Sequence, residues 1–471
     1  MNGTTLFGTT AQGGAAGDGT IFKLNTDGSA PALLASFGSS DAVNPNGGLL
    51  ISGNVIYGTT PFGGTAQNGA VFRVNEDGTG YQVLHNFSVP VNGINTDGAL
   101  PTQVTLALGS GTLYGTAQVG GSASYGTVWA VNTDGSGFST LKNFSNSGTD
   151  GAYPTTGLLL SCSTLYGTTS GGGSAQFGTV FKINTDGSGY SVIKGFTGAV
   201  NDGATPQANL ILSGSTLYGT TFGGGPSAYG SVFKINIDGT GFATLKSYNS
   251  AGTVGTQPEA GLLLIGSTLY GTTSYGGTAG NGTVFKINTD GSGFTNFYNF
   301  SALDIHSANP DGAHPQGTLA LNGGALYGTA SAGGTNAYGT VYKINPDGTG
   351  FTVLYTFSLS SNGDNSDGRL PSAGAVFSGN TLYGTASNGG NLDDGTIFSL
   401  ALSASLSPIP LNIQLSGSSA VLTWTNAAFG LQASPVVPGT FTNVPSATSP
   451  YTTPAGGPQQ FFRSLGTLEY Q

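Results

Sequence analysis

The sequence predicts an all-β protein whose residues 1–402 form a closed β-propeller of eight four-stranded blades, the first and last incomplete. Three observations lead to this prediction. The string LYGTT, or a close variant, recurs eight times, similar short apolar segments follow each copy, and no stretch shows helical periodicity. Short segments rich in β-branched and aromatic residues, bounded by Gly, Asn and Asp, are typical of strands joined by tight turns.

Each repeat contains four predicted strands, here called a, b, c and d. Strand a reads GLLLSG, strand b LYGTT, strand c GTVFKIN and strand d FTVLYTF. The c–d connection NTDGSG carries an Asp-Gly pair, and both residues accept the positive φ of a tight hairpin turn. The glycine of strand b recurs at Gly8, Gly58, Gly115, Gly167, Gly219, Gly271, Gly328 and Gly384.

The strand count favours eight blades. The chain reads b-c-d, then six copies of a-b-c-d, then a-b-c, so the two ends are incomplete in complementary ways. Radial closure hides the strand edges, whereas an open solenoid is the alternative arrangement. In a ring of seven blades, one of the eight b–c hairpins would belong to no blade. An N-terminal extension supplying strands d and a would complete the ring, so we expect a trimmed start.

Composition narrows the classes of protein and partner. The 26 Phe, 20 Tyr and 2 Trp provide a large core, and their fixed places in strands b, c and d predict that they fill the spaces between blades. A net charge of −10 argues against a nucleic-acid partner. No apolar run is long enough to span a membrane, and the single Cys162 excludes an intrachain disulfide. We expect a monomer.

The repeat ends near residue 403. Residues 403–471 contain Pro-punctuated strand patterns and are predicted to form a small β-sandwich-like module for sorting or interaction, marginal in size on its own.

The pattern LYGTTSGGGSAQFGTVFKINTDGSG followed by DGAYPTTGLLL resembles the GloVer (Gloeobacter/Verrucomicrobia) tandem repeat over roughly residues 5–402. The tail segments VLTWTNAAFGLQ and PQQFFR resemble C-terminal modules of secreted verrucomicrobial proteins of the choice-of-anchor type. The resemblance implies a secreted or cell-surface bacterial protein of unassigned biochemical function.

The two faces of the predicted ring differ in sequence. Alternating strand direction places the b–c and d–a loops on one face and the a–b and c–d turns on the other. The c–d turns are nearly invariant between repeats, whereas the d–a loops vary, most of all 88–100, 301–314 and 358–370. Because variable loops on a rigid scaffold usually carry binding sites, we expect a ligand on the b–c/d–a face.

Four aromatic residues precede the GTV or GSV motif of strand c on this face, namely Tyr125, Phe177, Tyr229 and Tyr338. They are candidates for stacking on sugar rings, with Tyr338 preferred because it lies between two long loops. The alternative is that they only pack over the neighbouring blade.

An Asp-x-x-x-Pro motif recurs in six of seven d–a loops. Asp311 and Asp367, in two of the long loops, are candidates for binding Ca²⁺ or sugar hydroxyl groups. The alternative is that each Asp caps its own loop through backbone N–H groups.

A weaker candidate for a divalent metal site lies in the loop SALDIHSANPDGAHPQ, where Asp304, His306, Asp311 and His314 fall within eleven residues. The third histidine, His85, aligns with Lys142 and Lys194 of strand d and is expected on the exposed surface. No other cofactor is suggested.

Two functions remain open from the sequence. The first is a non-enzymatic binding module that recognises an extracellular glycan or surface protein through the b–c/d–a face. The second is a lyase or glycosidase acting on extracellular polysaccharide, with acids from different blades meeting near the axis. The near-equality of the repeats favours the first, because catalysis breaks repeat symmetry.

Overall fold

A computed structural model of the chain describes residues 1–402 except 39–40, 90, 92–94, 102–104, 226–227, 250–253, 359–365 and 391–393, together with six strands between 412 and 466. Every regular element in this described part is a β-strand. Strands a to d of each repeat pair as consecutive antiparallel neighbours.

The first four sheets are bounded as follows. Strands b, c and d of blade 1 are Thr5–Thr10, Thr20–Asn25 and Ala32–Ser36, and strands a to d of blade 2 are Leu50–Ser52, Val55–Thr60, Ala70–Asn75 and Gln82–Asn86. Blade 3 has Ala107–Gly109, Thr112–Ala117, Thr127–Asn132 and Ser139–Asn143, and blade 4 has Leu159–Ser161, Thr164–Thr169, Thr179–Asn184 and Ser191–Gly195.

The remaining sheets repeat the pattern. Blade 5 has Ile211–Ser213, Thr216–Thr221, Ser231–Asn236 and Ala243–Ser247, and blade 6 has Leu263–Ile265, Thr268–Thr273, Thr283–Asn288 and Thr295–Asn299. Blade 7 has Ala320–Asn322, Ala325–Ala330, Thr340–Ile344 and Thr352–Thr356, whereas strands a to c of blade 8 are Val376–Ser378, Thr381–Ala386 and Thr396–Ala401.

The eight sheets form a closed ring, as the repeat count predicts. Blade 1 has strands b, c and d, and blade 8 has a, b and c, so the two incomplete blades are complementary. The ring closes where Tyr383 of blade 8 donates its hydroxyl to the carbonyl of Thr26 in blade 1 at 2.5 Å. The protein is therefore an eight-bladed β-propeller.

Aromatic rings fill the boundaries between blades. The ring that follows strand d of one blade contacts the strand c ring of the next, as in Phe144–Phe181, with centroids 5.3 Å apart, and Phe196–Phe233, 5.2 Å apart. Glycine in strand b makes room for these rings: a Cβ on Gly167 would lie 2.6 Å from Cζ of Phe181. This explains why LYGTT keeps its glycine in every repeat.

The a–b/c–d face is held by one repeated contact. The cation of strand c donates to a backbone carbonyl in the c–d turn of the next blade. Lys182 Nζ lies 3.2 Å from the carbonyl oxygen of Ile237, and Lys23 Nζ lies 2.7 Å from that of Glu76. Within each turn an Asp, such as Asp186, accepts from the backbone N–H and hydroxyl two residues later.

Four further two-stranded sheets join each of four d–a loops to the b–c loop of the blade that follows. Their strands are Asn95–Ala99 with Val119–Gly121, Gly151–Ala152 with Gly171–Gly172, Gly203–Ala204 with Gly223–Gly224, and Gly255–Thr256 with Tyr275–Gly276. The b–c and d–a loops therefore share one face of the ring.

The C-terminal part forms two three-stranded antiparallel sheets. Asn412–Ser416, Ser419–Thr423 and Tyr451–Pro454 form one sheet, and Phe429–Ser434, Thr442–Asn443 and Phe461–Gly466 form the other. The sandwich-like packing expected of this module stays a prediction.

Candidate functional site

The b–c/d–a face is organised by a backbone hydrogen bond that recurs at every blade boundary. The residue before each loop proline donates its N–H to the carbonyl of the residue before the strand c glycine of the preceding blade. Tyr153 donates to Tyr125 at 2.8 Å, and the same bond joins Asn44 to Asp18, Leu100 to Asn68, Thr205 to Phe177, Gln257 to Tyr229, His314 to Asn281 and Leu370 to Tyr338.

All seven donors of this bond have a left-handed backbone. Their φ values lie between 55° and 64°, at Asn44, Leu100, Tyr153, Thr205, Gln257, His314 and Leu370. A side chain in this region is strained, and the conformation persists only where the surroundings impose it. Here a second bond holds six of the seven positions: the carbonyl of Tyr153, for example, accepts from the N–H of Ser170 in the following blade at 3.0 Å, whereas Pro61 stands at the donor position opposite Asn44.

These bonds bring together two sets of side chains, which we call the boundary ring. It consists of the seven donors and the seven acceptors of the recurring bond. The backbone is the same at every boundary, whereas the side chains range from Asp and Asn to Leu, Thr, His, Tyr and Phe. The ring is thus a constant frame that presents different chemistry at each boundary.

The sequence-predicted aromatics are the acceptor half of this ring. Phe177 is 43% exposed, whereas Tyr125, Tyr229 and Tyr338 are half-buried and pack against the hydrophobic clusters between blades. Phe177 is thus the most exposed of the four rings, and the three tyrosines are partly covered by the neighbouring blades.

Further aromatic side chains on this face were missed from the sequence. Among the described residues, the exposed aromatics are Phe62, Tyr153, Phe177, Tyr275 and Tyr355, and the first four lie in b–c or d–a loops. Tyr153 contacts Tyr125 edge-on with centroids 5.6 Å apart, and Tyr275 lies 4.6 Å from the imidazole of His314. For Tyr153 the available signal was the position before the loop proline, which varies between repeats.

Glycine backbone supports two of these rings from behind. A Cβ on Gly171 would lie 3.1 Å from Cδ2 of Tyr153, and one on Gly198 would lie 3.1 Å from Cε2 of Phe177. Each ring therefore rests on bare backbone and keeps part of its surface open to solvent.

The Asp-x-x-x-Pro acids hold their own loops. Asp311 accepts from the Tyr298 hydroxyl at 2.7 Å and from the Ser301 N–H at 2.9 Å, and Asp367 accepts from the Tyr355 hydroxyl and the Ser358 N–H. Asp311 is only 6% exposed. These contacts agree with the capping alternative.

In blades 3 and 4 the same acid pairs with a lysine of strand d. Lys142 Nζ lies 2.9 Å from Asp150, and Lys194 Nζ lies 2.8 Å from Asp202. Burial raises the pKa of the Asp150 carboxyl, but hydrogen bonds from Tyr190, Lys142 and Ser145 outweigh this effect and leave the pKa below its ordinary value.

The expectation that His85 is exposed was wrong. Its side chain is 17% exposed, its Nε2 lies 3.0 Å from Asp97, and its ring stacks on Phe138 of the next blade with centroids 3.4 Å apart. An aromatic residue covers this strand d position from the neighbouring blade, which the alignment within one repeat does not show.

The four candidate metal ligands point to separate partners. His306 and Asp304 are exposed and their closest N and O atoms lie 3.9 Å apart, Asp311 is turned towards Tyr298 and Ser301, and His314 Nδ1 lies 2.9 Å from the Ser274 carbonyl. Across the described ranges, no group of three or more His, Cys, Asp or Glu side chains could hold a metal ion. The geometry does not support the predicted metal site.

The long loops are described to different extents. Loop 301–314 is described throughout and exposes Ile305 at its tip, 94% accessible, above an Asx turn in which Asp304 accepts from the N–H groups of His306 and Ala308. Residues 90 and 92–94 of the first long loop and 359–365 of the third lie outside the described residues.

One titratable group on this face was not anticipated. Glu259 follows the loop proline of blade 6 and is half-buried. Burial raises the pKa of its carboxyl, against the lowering effects of the nearby Ser274 hydroxyl and His314 imidazole. A half-buried acid with a raised pKa, beside a histidine, is a feature that active sites share.

The fold and this face define a class of protein: an eight-bladed propeller of tandem repeats with one constant and one variable face. Models of the Gloeobacter/Verrucomicrobia repeat match residues 1–176, 101–310 and 302–415, and the chain belongs to this family. The described residues contain no helix long and apolar enough to cross a membrane.

Several solved structures are similar to this chain at low sequence identity, with TM-scores below 0.5. An oligogalacturonate lyase in complex with manganese is 12% identical, with 86% of this chain and 98% of that chain covered and a TM-score of 0.46. An oligogalacturonate lyase from Vibrio parahaemolyticus is 10% identical, with 86% of this chain and 100% of that chain covered and a TM-score of 0.45. A putative 6-phosphogluconolactonase from Bacteroides uniformis is 16% identical, with 74% of this chain and 94% of that chain covered and a TM-score of 0.43. No curated protein matches the chain.

Proposed function

We propose that this protein is a secreted or cell-surface binding module that recognises a glycan through the boundary ring of the b–c/d–a face. The observation that carries the proposal is that exposed aromatic side chains gather in the loops of this face while the backbone beneath them stays constant. Binding proteins commonly combine a rigid frame with variable surface residues.

Physical chemistry favours a sugar as the ligand. An aromatic face carries partial negative charge, which suits the polarised C–H groups on the apolar face of a sugar ring. Polar ring members such as Thr205, Gln257 and Asn281 lie between the aromatic residues and supply donors and acceptors for hydroxyl groups. The buried Asp311 and the half-buried Asp367 act in this proposal by positioning their loops.

A polysaccharide lyase or glycosidase is the second candidate function. Glu259 favours it, because a half-buried carboxyl whose pKa is raised by burial is suited to general acid catalysis. Binding remains the first choice because a glycosidase generally needs a second carboxyl group at a defined separation.

A glycan array tests the proposal. The wild-type protein should bind a subset of glycans, and Phe177→Ala should weaken that binding by about 1 kcal/mol or more, because the exposed ring is lost while the fold is kept. Tyr338→Ala tests the preferred tyrosine in the same way. Asp186→Ala, in a c–d turn of the opposite face, is the matched control and should bind as the wild type does.

Two results would contradict the proposal. The first is the absence of binding to any glycan. The second is loss of binding in Asp186→Ala, with the fold intact, while Phe177→Ala binds normally. Incubation of the bound polysaccharide with wild-type protein and Glu259→Gln, followed by product analysis, decides between binding and cleavage.

A further inference from the structure

We infer that the ligand is an uncharged linear polysaccharide that lies extended across four consecutive blade boundaries. This inference rests on the proposed function and specifies its ligand. The site, which we call the aromatic arc, is formed by Tyr125, Tyr153, Phe177, Phe222, Tyr229 and Tyr275.

The arc occupies consecutive blade boundaries in one part of the ring. Tyr125 and Tyr153 meet at the boundary of blades 3 and 4, Phe177 and Phe222 lie at that of blades 4 and 5, and Tyr229 lies at that of blades 5 and 6.

Tyr275 continues the arc towards blade 7. It contacts His314, which comes from the loop between blades 6 and 7 and reaches back to the Ser274 carbonyl. By contrast, the boundary-ring residues between blades 1 and 2 are Asp18 and Asn44, and those between blades 2 and 3 are Asn68 and Leu100, none of which is aromatic.

The regular spacing of the arc favours a polymer over a single sugar. The four boundaries of the arc share the same two backbone hydrogen bonds, and Tyr125, Phe177 and Tyr229 occupy the same position in three of them, so these three aromatic sites are related by the same step around the ring. A ligand with a repeating unit can occupy several such sites at once. Binding at each further site is then intramolecular and raises the overall affinity.

The charges around the arc favour an uncharged polymer. No boundary-ring residue from Tyr125 to His314 is Lys or Arg. Of the three equivalent strand d lysines beside the arc, Lys142 and Lys194 are paired with Asp150 and Asp202, whereas Lys246 has no loop acid and lies over the Phe294 ring, 4.2 Å from its centroid. A uronic acid or sulfate group would find no unpaired cation at the ring positions and would face a protein of net charge −10.

Affinity electrophoresis supplies the first test. The protein should be retarded by at least one neutral linear polysaccharide among glucans, xylans and mannans, and not by polygalacturonate, alginate or a sulfated glycan. An oligosaccharide series from the retarding polymer is then titrated by calorimetry. We expect affinity to rise by about tenfold or more from the disaccharide to the hexasaccharide, because longer chains reach further boundaries.

Two aromatic residues at equivalent repeat positions give a matched pair of variants. Tyr275 and Phe62 both stand just before the glycine pair of a b–c loop and are 43% and 44% exposed, but only Tyr275 belongs to the arc. Tyr275→Ala and Phe177→Ala should each weaken hexasaccharide binding by about fivefold or more, and Phe62→Ala should leave it unchanged. Thermal unfolding of each variant checks that the fold is kept.

The outcomes separate this inference from the function on which it rests. If glycans bind but affinity is independent of chain length, if an acidic polysaccharide binds and neutral ones do not, or if Phe62→Ala weakens binding as much as Tyr275→Ala, the aromatic arc is wrong and the proposed function stands. If no glycan of either charge binds, the proposed function itself fails.

Discussion

The two faces of this propeller are built on the same blades, yet they repeat in different ways. On the a–b/c–d face the side chains themselves repeat: an Asp closes each c–d turn, and a strand c cation reaches the next turn in most blades. On the b–c/d–a face the backbone bonds and most of the loop acids repeat, whereas the side chains of the boundary ring differ at each boundary.

The two faces differ in the groups that join neighbouring blades. The constant face uses side chains to join blades, and the strand c cation is present in six of the eight repeats. The variable face joins blades through backbone N–H and carbonyl groups and through buried acids beneath the loops, which leaves the outer side chains available for binding.

The largest effect should come from removing a buried acid of the variable face. Asp150→Asn leaves Lys142 without its charged partner, 2.9 Å away in the wild type, in a site where both groups are mostly buried. We expect a loss of about 2 kcal/mol or more in the free energy of unfolding, measured in denaturant. Asp134→Asn, in the exposed c–d turn of the same blade, is the control and should cost much less.

The acid range provides a second measurement on the same variant. Because the pKa of Asp150 is lowered in the folded protein, its contribution is present above the ordinary carboxyl pKa and is lost as the pH falls through the lowered value. The stability of Asp150→Asn should therefore depend less on pH than that of the wild type below about pH 4. Equal pH dependence, or equal losses in the two Asn variants, would show that the buried acids do not support this face.

A smaller gain should follow from restoring the acid where it is missing. Val254 replaces the loop Asp between blades 5 and 6, and the corresponding Lys246 lies 4.2 Å over the Phe294 ring with its pKa lowered by burial. Val254→Asp should raise the Lys246 pKa and stabilise the fold by about 1 kcal/mol, because an ion pair replaces an incompletely solvated charge. Val254→Asn is the control, and a gain of the same size there would exclude the ion pair as the cause.

The smallest effect should come from a single contact of the constant face. Lys182→Met keeps the aliphatic stem but removes the hydrogen bond to the Ile237 carbonyl, 3.2 Å away. We expect a loss of about 0.5 kcal/mol from denaturant unfolding, since the group is partly solvated and its bond is one of several around the ring. If Lys182→Ala loses no more than Lys182→Met, the stem contributes nothing and the hydrogen bond alone explains the recurring charge of strand c.

The repeat made the architecture predictable. Eight copies of strand b, with their glycines from Gly8 to Gly384, define the blades, and the missing strands at the two ends define the complementary sheets. The same regularity identified Tyr125 and Phe177 as a set on the variable face. These features depend on patterns within one repeat, which a sequence displays directly.

The other half of the boundary ring depends on contacts between repeats. A left-handed backbone at Tyr153 or His314 is unfavourable for either residue alone and occurs here because two blades bond to it. His85 was misplaced for the same reason, since Phe138 of the next blade covers it. Residues that meet across a boundary, such as His85 and Phe138, lie about one repeat length apart in the sequence, so no local pattern links them.

The left-handed position before each loop proline has a consequence for how this protein can change. Asn, Leu, Tyr, Thr, Gln and His all occupy it with φ between 55° and 64°, so six different side chains occur on the same backbone conformation. Substitutions there should alter recognition far more readily than they alter folding. A library randomised at Tyr153, Thr205, Gln257 and His314 should therefore keep the propeller fold and, under the proposed function, yield variants with different ligand preferences.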